Sequence, residues 1–430
     1  MTILIKNGHV LDPKTRRNGI CDVLIDGDRI TKTEENITVP ADKVIDASGC
    51  YVMPGFIDLH VHFRDPGLEY KETLTTGGRA AVKGGVTTVC AMPNTKPVTD
   101  NSVKVAMIHR RARVESLTNV IQIGAVTIGQ EGKELADIRG MAAEGCHAIS
   151  EDGKSVMNAS LYRRAMQIAK EAGIAVFAHC EDITMVEGGV MNAGAQAKKL
   201  GMKGISNAVE DVIAARDILL AKETGVQLHL CHCSTKDSVK MIALAKEEGL
   251  PVTGEVCPHH FILTDEDIKE DDGNFKMNPP LRSREDVEAL REGLKNDIMD
   301  VISTDHAPHG SAEKNRTMKM APFGIVGLET SAALTYTELV EPGILTPMQM
   351  AEKMSYNPAR ILGLAEKGSV SEGMIADVVI FDPSKEYIIR KETFVSKGKN
   401  TPFDGRKVKG DVNCTIVGGK IVYEGGKVID

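Results

Sequence analysis

The chain has 430 residues, a net charge of −8 at neutral pH, and hydrophobic and charged fractions of 42% and 26%. That length supports a large core and more than one domain, the composition is that of a soluble globular protein, and the acidic balance argues against nucleic acid, which calls for a basic patch. No apolar stretch is long enough to span a membrane, and the start, Met1-Thr2-Ile3-Leu4-Ile5-Lys6, lacks the basic region and apolar core of a secretion signal. The nine cysteines form no tight framework and fit free thiols in a reducing cytoplasm. Cys231-His232-Cys233 has no second cysteine pair near it, so core packing is expected there rather than structural zinc.

In chain order, short strands are predicted at 3–5, 22–25 and 43–46, with Asp26-Gly27-Asp28 as a tight hairpin. Apolar runs follow at 55–62, 87–93, 120–126, 147–150, 175–179, 227–232, 251–256 and 300–304. Helical stretches at 102–116, 159–172, 207–224 and 236–248 alternate with them. The end of the chain returns to strands at 376–381, 414–417 and 420–423. The expected fold is α/β: a (β/α)8 TIM-type barrel over 54–367, with a small β-sandwich-like domain formed by 1–53 and 368–430. No Gly-x-Gly-x-x-Gly follows a strand, so a dinucleotide fold has little support.

The most informative motif is Asp58-Leu59-His60-Val61-His62. On a strand, a period of two puts Asp58, His60 and His62 on one face, where two imidazoles can grip one metal ion and Asp58 can hold a ring N–H from behind. A lone His-x-His is as well explained by an ordinary solvated strand. Matching residues at the ends of later strands change the balance: Asn94, then Asp152 in Ser150-Glu151-Asp152-Gly153, His179, His232, and Asp305 in Thr304-Asp305-His306-Ala307-Pro308-His309. In a barrel these ends share one mouth. Four imidazoles and two carboxylates from five strands can hold two divalent cations with a carboxylate between them.

Several segments then resemble a known family. They are Pro54-Gly55-Phe56-Ile57-Asp58-Leu59-His60-Val61-His62-Phe63-Arg64-Asp65-Pro66-Gly67, Ala91-Met92-Pro93-Asn94-Thr95, Lys276-Met277-Asn278-Pro279-Pro280-Leu281-Arg282, Ser303 to His309, and Ala321 to Thr330. Together they resemble the amidohydrolase superfamily and, within it, the type I bacterial dihydroorotases. The resemblance implies a zinc enzyme that interconverts N-carbamoyl-L-aspartate and L-dihydroorotate in pyrimidine biosynthesis. It implies that His60, His62 and Asp305 bind the more buried ion, that His179 and His232 bind a second, and that Asp152 and a hydroxide bridge the two. Relatives such as hydantoinases bridge with a carboxylated lysine; here the place reads Glu151-Asp152-Gly153-Lys154, and the bridge is assigned to Asp152.

By the same resemblance His62, Arg64, Asn94, Asn278 and His309 contact substrate, and the backbone around Phe323 and Gly324 lines the ring. The hydroxide is expected to attack the ring carbonyl, with Asp305 as general acid and base. The polar stretch 310–320 reads equally as a solvated loop and as a lid. Competing functions are a hydantoinase- or allantoinase-type cyclic amidase, and a non-catalytic subunit that scaffolds aspartate transcarbamoylase. The complete ligand set and Arg64 favour the dihydroorotase reading. A small-molecule substrate, a homodimer, association with the transcarbamoylase and a cytoplasmic location complete the expectation.

Overall fold

Strands from the two ends of the chain meet in one sheet. In the computed structural model, which describes Met1–Asp430, the order across this sheet is Lys427–Val428, Lys420–Glu424, Lys407–Val417, Val378–Ile388, Tyr51–Pro54, Thr2–Asp12, Arg17–Asp26 and Arg29–Glu34. Lys43–Asp46 adds to Thr2–Asp12 in parallel. The hairpin at Gly27-Asp28 closes between paired Asp26 and Arg29, with Gly27 at φ +60° as a tight two-residue turn requires. Ile3, Ile5, Val23, Ile25, Val52, Val378, Ile380 and Ile416 form its apolar core, separate from the main cluster.

Between these ends run parallel strands in chain order. Phe56–Val61, Val86–Ala91 and Asn119–Gln122 pair in one set. Gly124–Ala125, Ala148–Ser150, Ala175–Ala178, Leu228–Leu230, Val252–Val256 and Val301–Ile302 pair in a second. The last strand meets the first through a parallel bridge between Val61 and His306, where the His62 N–H donates to the His306 carbonyl at 2.8 Å. The run at 120–126, expected as one strand, is split at Ile123. There the Ile123 N–H donates to Ala91 O and the Ala125 N–H to Thr99 O, so the chain changes partner. Every residue of Phe56–Val61 and of Val86–Ala91 is buried, as expected of parallel strands covered on both faces.

Helices follow the strands and start on side-chain caps. Thr73 and Ser283 make capping boxes for Leu74–Lys83 and Arg284–Lys295, while Asn101, Asn158 and Thr235 cap Ser102–Glu115, Ala159–Glu171 and Lys236–Glu247. Ala208–Thr224 stops at Gly225, φ +67°. All nine cysteines are buried and unpaired in disulfides. No helix is long and apolar enough to cross a membrane.

The strand that opens the site is irregular. Asp58 pairs with Val89 and Val61 with Ala91, so three steps face two, and the strict alternation expected for residues 58–62 does not hold. The bulge re-aims the side chains: Leu59 lies in the same apolar cluster as Cys90, Met92 and Phe177, and His60 is fully buried. Asp58 does not hold a ring N–H. Its Oδ1 accepts from the backbone N–H groups of His60 at 3.0 Å and Thr304 at 3.2 Å, joining the first strand to the last.

Glu72 joins three distant segments. Fully buried, it accepts from His306 Nε2 at 3.4 Å, from the Lys397 N–H at 3.3 Å, and from the hydroxyls of Thr76 and Ser396. Glu72→Ala strands these donors and is expected to lower the unfolding free energy by about 1–3 kcal/mol, read as a lower denaturation midpoint; an unchanged midpoint would count against this role.

Candidate active site

Each polar residue anticipated at a strand end lies just past it: His62 after Val61, Asn94 after Ala91, Asp152 after Ser150, His179 after Ala178, His232 after Leu230, and Asp305 after Ile302. Their side chains converge. His60 Nε2 is 3.0 Å from Asp152 Oδ1 and 3.6 Å from Asp305 Oδ1. His62 Nε2 is 3.1 Å from Asp305 Oδ1 and 3.5 Å from Asp152 Oδ2. On the other side of Asp152, His179 Nδ1 and His232 Nε2 stand 2.9 Å apart, and 3.7 and 3.9 Å from Asp152 Oδ1.

The outer nitrogens decide what these inner ones are. His60 Nδ1 faces Glu255 Oε1 at 3.0 Å, His62 Nδ1 faces Asn94 Oδ1 at 2.9 Å, and His179 Nε2 faces Glu181 Oε2 at 3.1 Å. These oxygens only accept, so each of the three rings carries its proton on the outer nitrogen and turns a lone pair inward. His60 Nε2 is accordingly buried without a hydrogen-bond partner. Lone pairs facing carboxylates at 3.0–3.6 Å repel one another unless a cation lies between. The same demand appears in the proton equilibria. Burial pulls His60 downward, yet Asp152 outweighs it and raises the imidazole well above its usual value. Burial pushes Asp305 upward, yet the His62 and His60 rings bring it down to about 2. A donor set of imidazoles and carboxylates, with outer partners on three of its four rings, fits a divalent cation such as zinc.

Above the cluster lies a cavity of about 200 Å³ lined by His62, Arg64, Asn94, Asp152, His179, His232, Asn278, Asp305, His309, Phe323 and Gly324 among others. It brings together every residue anticipated for metal or substrate except the deeper His60. Arg64 donates from Nε to Pro308 O at 3.3 Å and has no ion-pair partner. Half-buried in the cavity wall, it is a ready seat for an anionic group.

The match to known proteins is extensive. Residues 51–422 match the model of the Amidohydrolase family. The chain belongs to the amidohydrolase family. A dihydroorotase of Pelotomaculum thermopropionicum is 48% identical over 424 residues, 99% of each chain, and one of Acetivibrio thermocellus is 46% identical over 420 residues, 98% of each. Among solved structures, the L-hydantoinase of Arthrobacter aurescens superposes with a TM-score of 0.90 at 27% identity, covering 100% of this chain and 97% of that one.

Within this amidohydrolase the side chains around the cavity are held by residues that motif reading passed over. Asn94 and Asn278, expected to face substrate, already brace the cluster: Asn94 Nδ2 donates to Asp152 Oδ2 at 3.0 Å, and Asn278 Nδ2 to Glu181 Oε1 at 2.9 Å. His309 accepts at Nδ1 from Lys71 Nζ at 3.2 Å and donates from Nε2 to Phe323 O at 2.8 Å. Burial, with Arg64, Lys71 and Lys314 nearby, lowers its pKa to about 2, so its ring is neutral. Asn400 staples the loop behind it, accepting from the His309 N–H at 3.1 Å and donating to Ala307 O at 3.1 Å and Gly324 O at 3.0 Å. Gly67 is needed in the loop that carries Arg64: at φ +94°, an added Cβ would lie 1.9 Å from Lys96 O.

Lys154, the alternative bridge, points elsewhere. It is exposed and donates to Gln130 O at 2.9 Å. The stretch 310–320 is more than a solvated loop: Ser311–Lys314 is helical, and buried Lys314 donates to the carbonyls of Lys276 at 2.7 Å and Pro322 at 2.8 Å. Glu313 on it receives Tyr70 Oη at 2.7 Å and pairs with Lys71 at 3.2 Å.

Proposed function

We propose that this amidohydrolase is a dihydroorotase, closing N-carbamoyl-L-aspartate to L-dihydroorotate and water and running the reverse hydrolysis on the same groups. The observation that carries the reading is a half-buried arginine without an acid partner, Arg64, lining the cavity over a lone-pair-lined cluster, in a chain 48% identical to a dihydroorotase along its whole length. A zinc pair held by His60, His62 and Asp305 and by His179 and His232, with Asp152 between, would supply water of lowered pKa and polarise the reacting carbonyl. The remaining work falls to the chain. Arg64 offers parallel N–H donors to the substrate carboxylate. In the hydrolytic direction the water oxygen bonds to the ring carbonyl carbon and its proton passes to Asp305. The carbon–nitrogen bond then breaks, and Asp305 returns the proton to the departing nitrogen. Asn278 and the Phe323–Gly324 backbone border the ring.

In this reading the parallel strands close into a (β/α)8 barrel over 54–367, and the sheet from 1–53 and 368–430 is an accessory domain. A cytoplasmic homodimer, with aspartate transcarbamoylase as a further partner, follows the family pattern; light scattering of the purified protein checks the dimer. Hydantoinase activity is the second reading, favoured by the structural likeness to the Arthrobacter enzyme. The turned-away Lys154 and the presence of Arg64 weigh against it. Turnover of dihydroorotate, hydantoin and allantoin, each with and without a chelator, separates the two: chelator-sensitive turnover of dihydroorotate alone is expected, and faster hydantoin hydrolysis would reverse the order.

Arg64→Lys is expected to raise KM for dihydroorotate about 10- to 100-fold, with kcat much less affected, since a lysine cannot reproduce the two-pronged contact. An unchanged KM would remove Arg64 from the carboxylate.

A further inference from the structure

Behind the cluster, one carboxylate touches residues of both proposed metal sites. Glu255 lies in Val252–Val256 and is fully buried. Its Oε1 accepts from the His60 ring at 3.0 Å and from the backbone N–H of His232 at 3.1 Å. Oε2 faces His229 Nε2 at 3.1 Å, and His229 Nδ1 faces the Thr253 hydroxyl at 2.9 Å. The Glu255 backbone carbonyl also accepts from the Cys233 N–H at 2.9 Å. Thus Oε1 orients a ring on Phe56–Val61 and pins the turn that follows Leu228–Leu230.

That turn needs pinning. His232 has φ +34°, a region unfavourable for a residue with a Cβ, and its ring nitrogen Nδ1 is buried without a partner. Nothing therefore holds the His232 ring from behind, as Glu181 holds His179 and Asn94 holds His62. The backbone bond to Glu255 fixes where the ring starts. His229, clamped by Thr253 and packed at a tilt against Phe177 with ring centroids 4.9 Å apart, keeps the carboxylate from turning away.

We propose that Glu255 is a positioning residue that couples the two metal sites: it sets the His60 ring for one ion and the His232 turn for the other through a single oxygen. Losing Glu181 would disturb the outer support of His179 alone, and losing Asn94 that of His62 and of the carboxylate between the sites, whereas losing Glu255 disturbs one histidine ligand in each site. The inference rests on reading the six ligands as a two-metal centre.

The test is titration of the metal-free protein with Co²⁺, followed by equilibrium dialysis and visible absorption, with no turnover assay involved. Wild type is expected to take up two ions. Glu255→Leu, similar in bulk but with no acceptor, is expected to weaken both steps about 10- to 100-fold, and Glu255→Gln, which keeps one acceptor oxygen, to recover most of that loss. Asp217→Asn, a buried carboxylate paired with Arg216 outside the site, controls for general loosening and is expected to bind as wild type. Wild-type binding by Glu255→Leu, weakening of one step alone, or equal weakening in Asp217→Asn overturns the coupling. Should Glu255→Leu fail to fold, His229→Leu decides: it frees Oε2, and a smaller loss in both steps supports the proposal, while unchanged or single-step binding overturns it. A wild-type protein that takes up no cobalt overturns the metal reading itself, and the coupling with it.

Discussion

Replacing Asp305 with alanine is expected to lower kcat by about 10²–10⁴-fold while the far-UV circular dichroism stays that of the wild type. Two features make the effect large. Its Oδ1 lies 3.1 Å from His62 Nε2 and 3.6 Å from His60 Nε2, so the carboxylate belongs to the ligand cluster. It also lines the cavity where substrate would sit, within reach of the reacting water, and the His62 and His60 rings hold its carboxyl below the usual carboxylate range. The fold should survive, because the strand end is tied by Thr304 to Asp58 and by His306 to Val61 and Ile325, independently of the Asp305 side chain. Turnover within tenfold of wild type would remove Asp305 from the proton transfer.

Asp152→Ala should be nearly as damaging, for a different reason. Asp152 is the group within 4 Å of all four inner histidine nitrogens, and burial is outweighed there by the neighbouring His60 and His62 rings, which hold its carboxyl well below the usual range. Without it the cluster keeps one carboxylate for four imidazoles. Elemental analysis is expected to show fewer than two zinc ions per chain, and kcat to fall by about 10³-fold or more, the equivalent of several kcal/mol of lost charge stabilisation. Lys154→Gln is the companion measurement. With its ammonium on Gln130 O, it should retain metal and activity within about twofold. Full metal content in Asp152→Ala combined with loss in Lys154→Gln would move the bridge to the lysine.

What the linear chain disclosed was local. His60 and His62 are two residues apart, Asp305 to His309 form a run, and each polar residue follows an apolar stretch whose length marks a strand, so ligand candidates and strand ends were both legible. The supports were not. Glu255 is 195 positions from the His60 ring it holds, and only its presence as a charge inside an apolar run hinted that it was buried for a purpose. Glu181 sits two residues past His179, within reach of motif reading, but its pairing with Asn278 spans 97 positions. The bulge at 58–61 was hidden because it depends on the register with the neighbouring strand, which no periodicity within one segment records.

The staple by Asn400 bears on the order in which the protein becomes active as it is made. Asn400 trails His309 by 91 positions, and Ser396, which closes on Glu72, trails that residue by 324. A ribosome that has released every metal ligand through Asp305 has therefore not yet delivered the residues that fasten the Ala307–His309 loop and its neighbour at Gly324. Competence to bind substrate would arrive as a late event of synthesis, after the cluster itself can form.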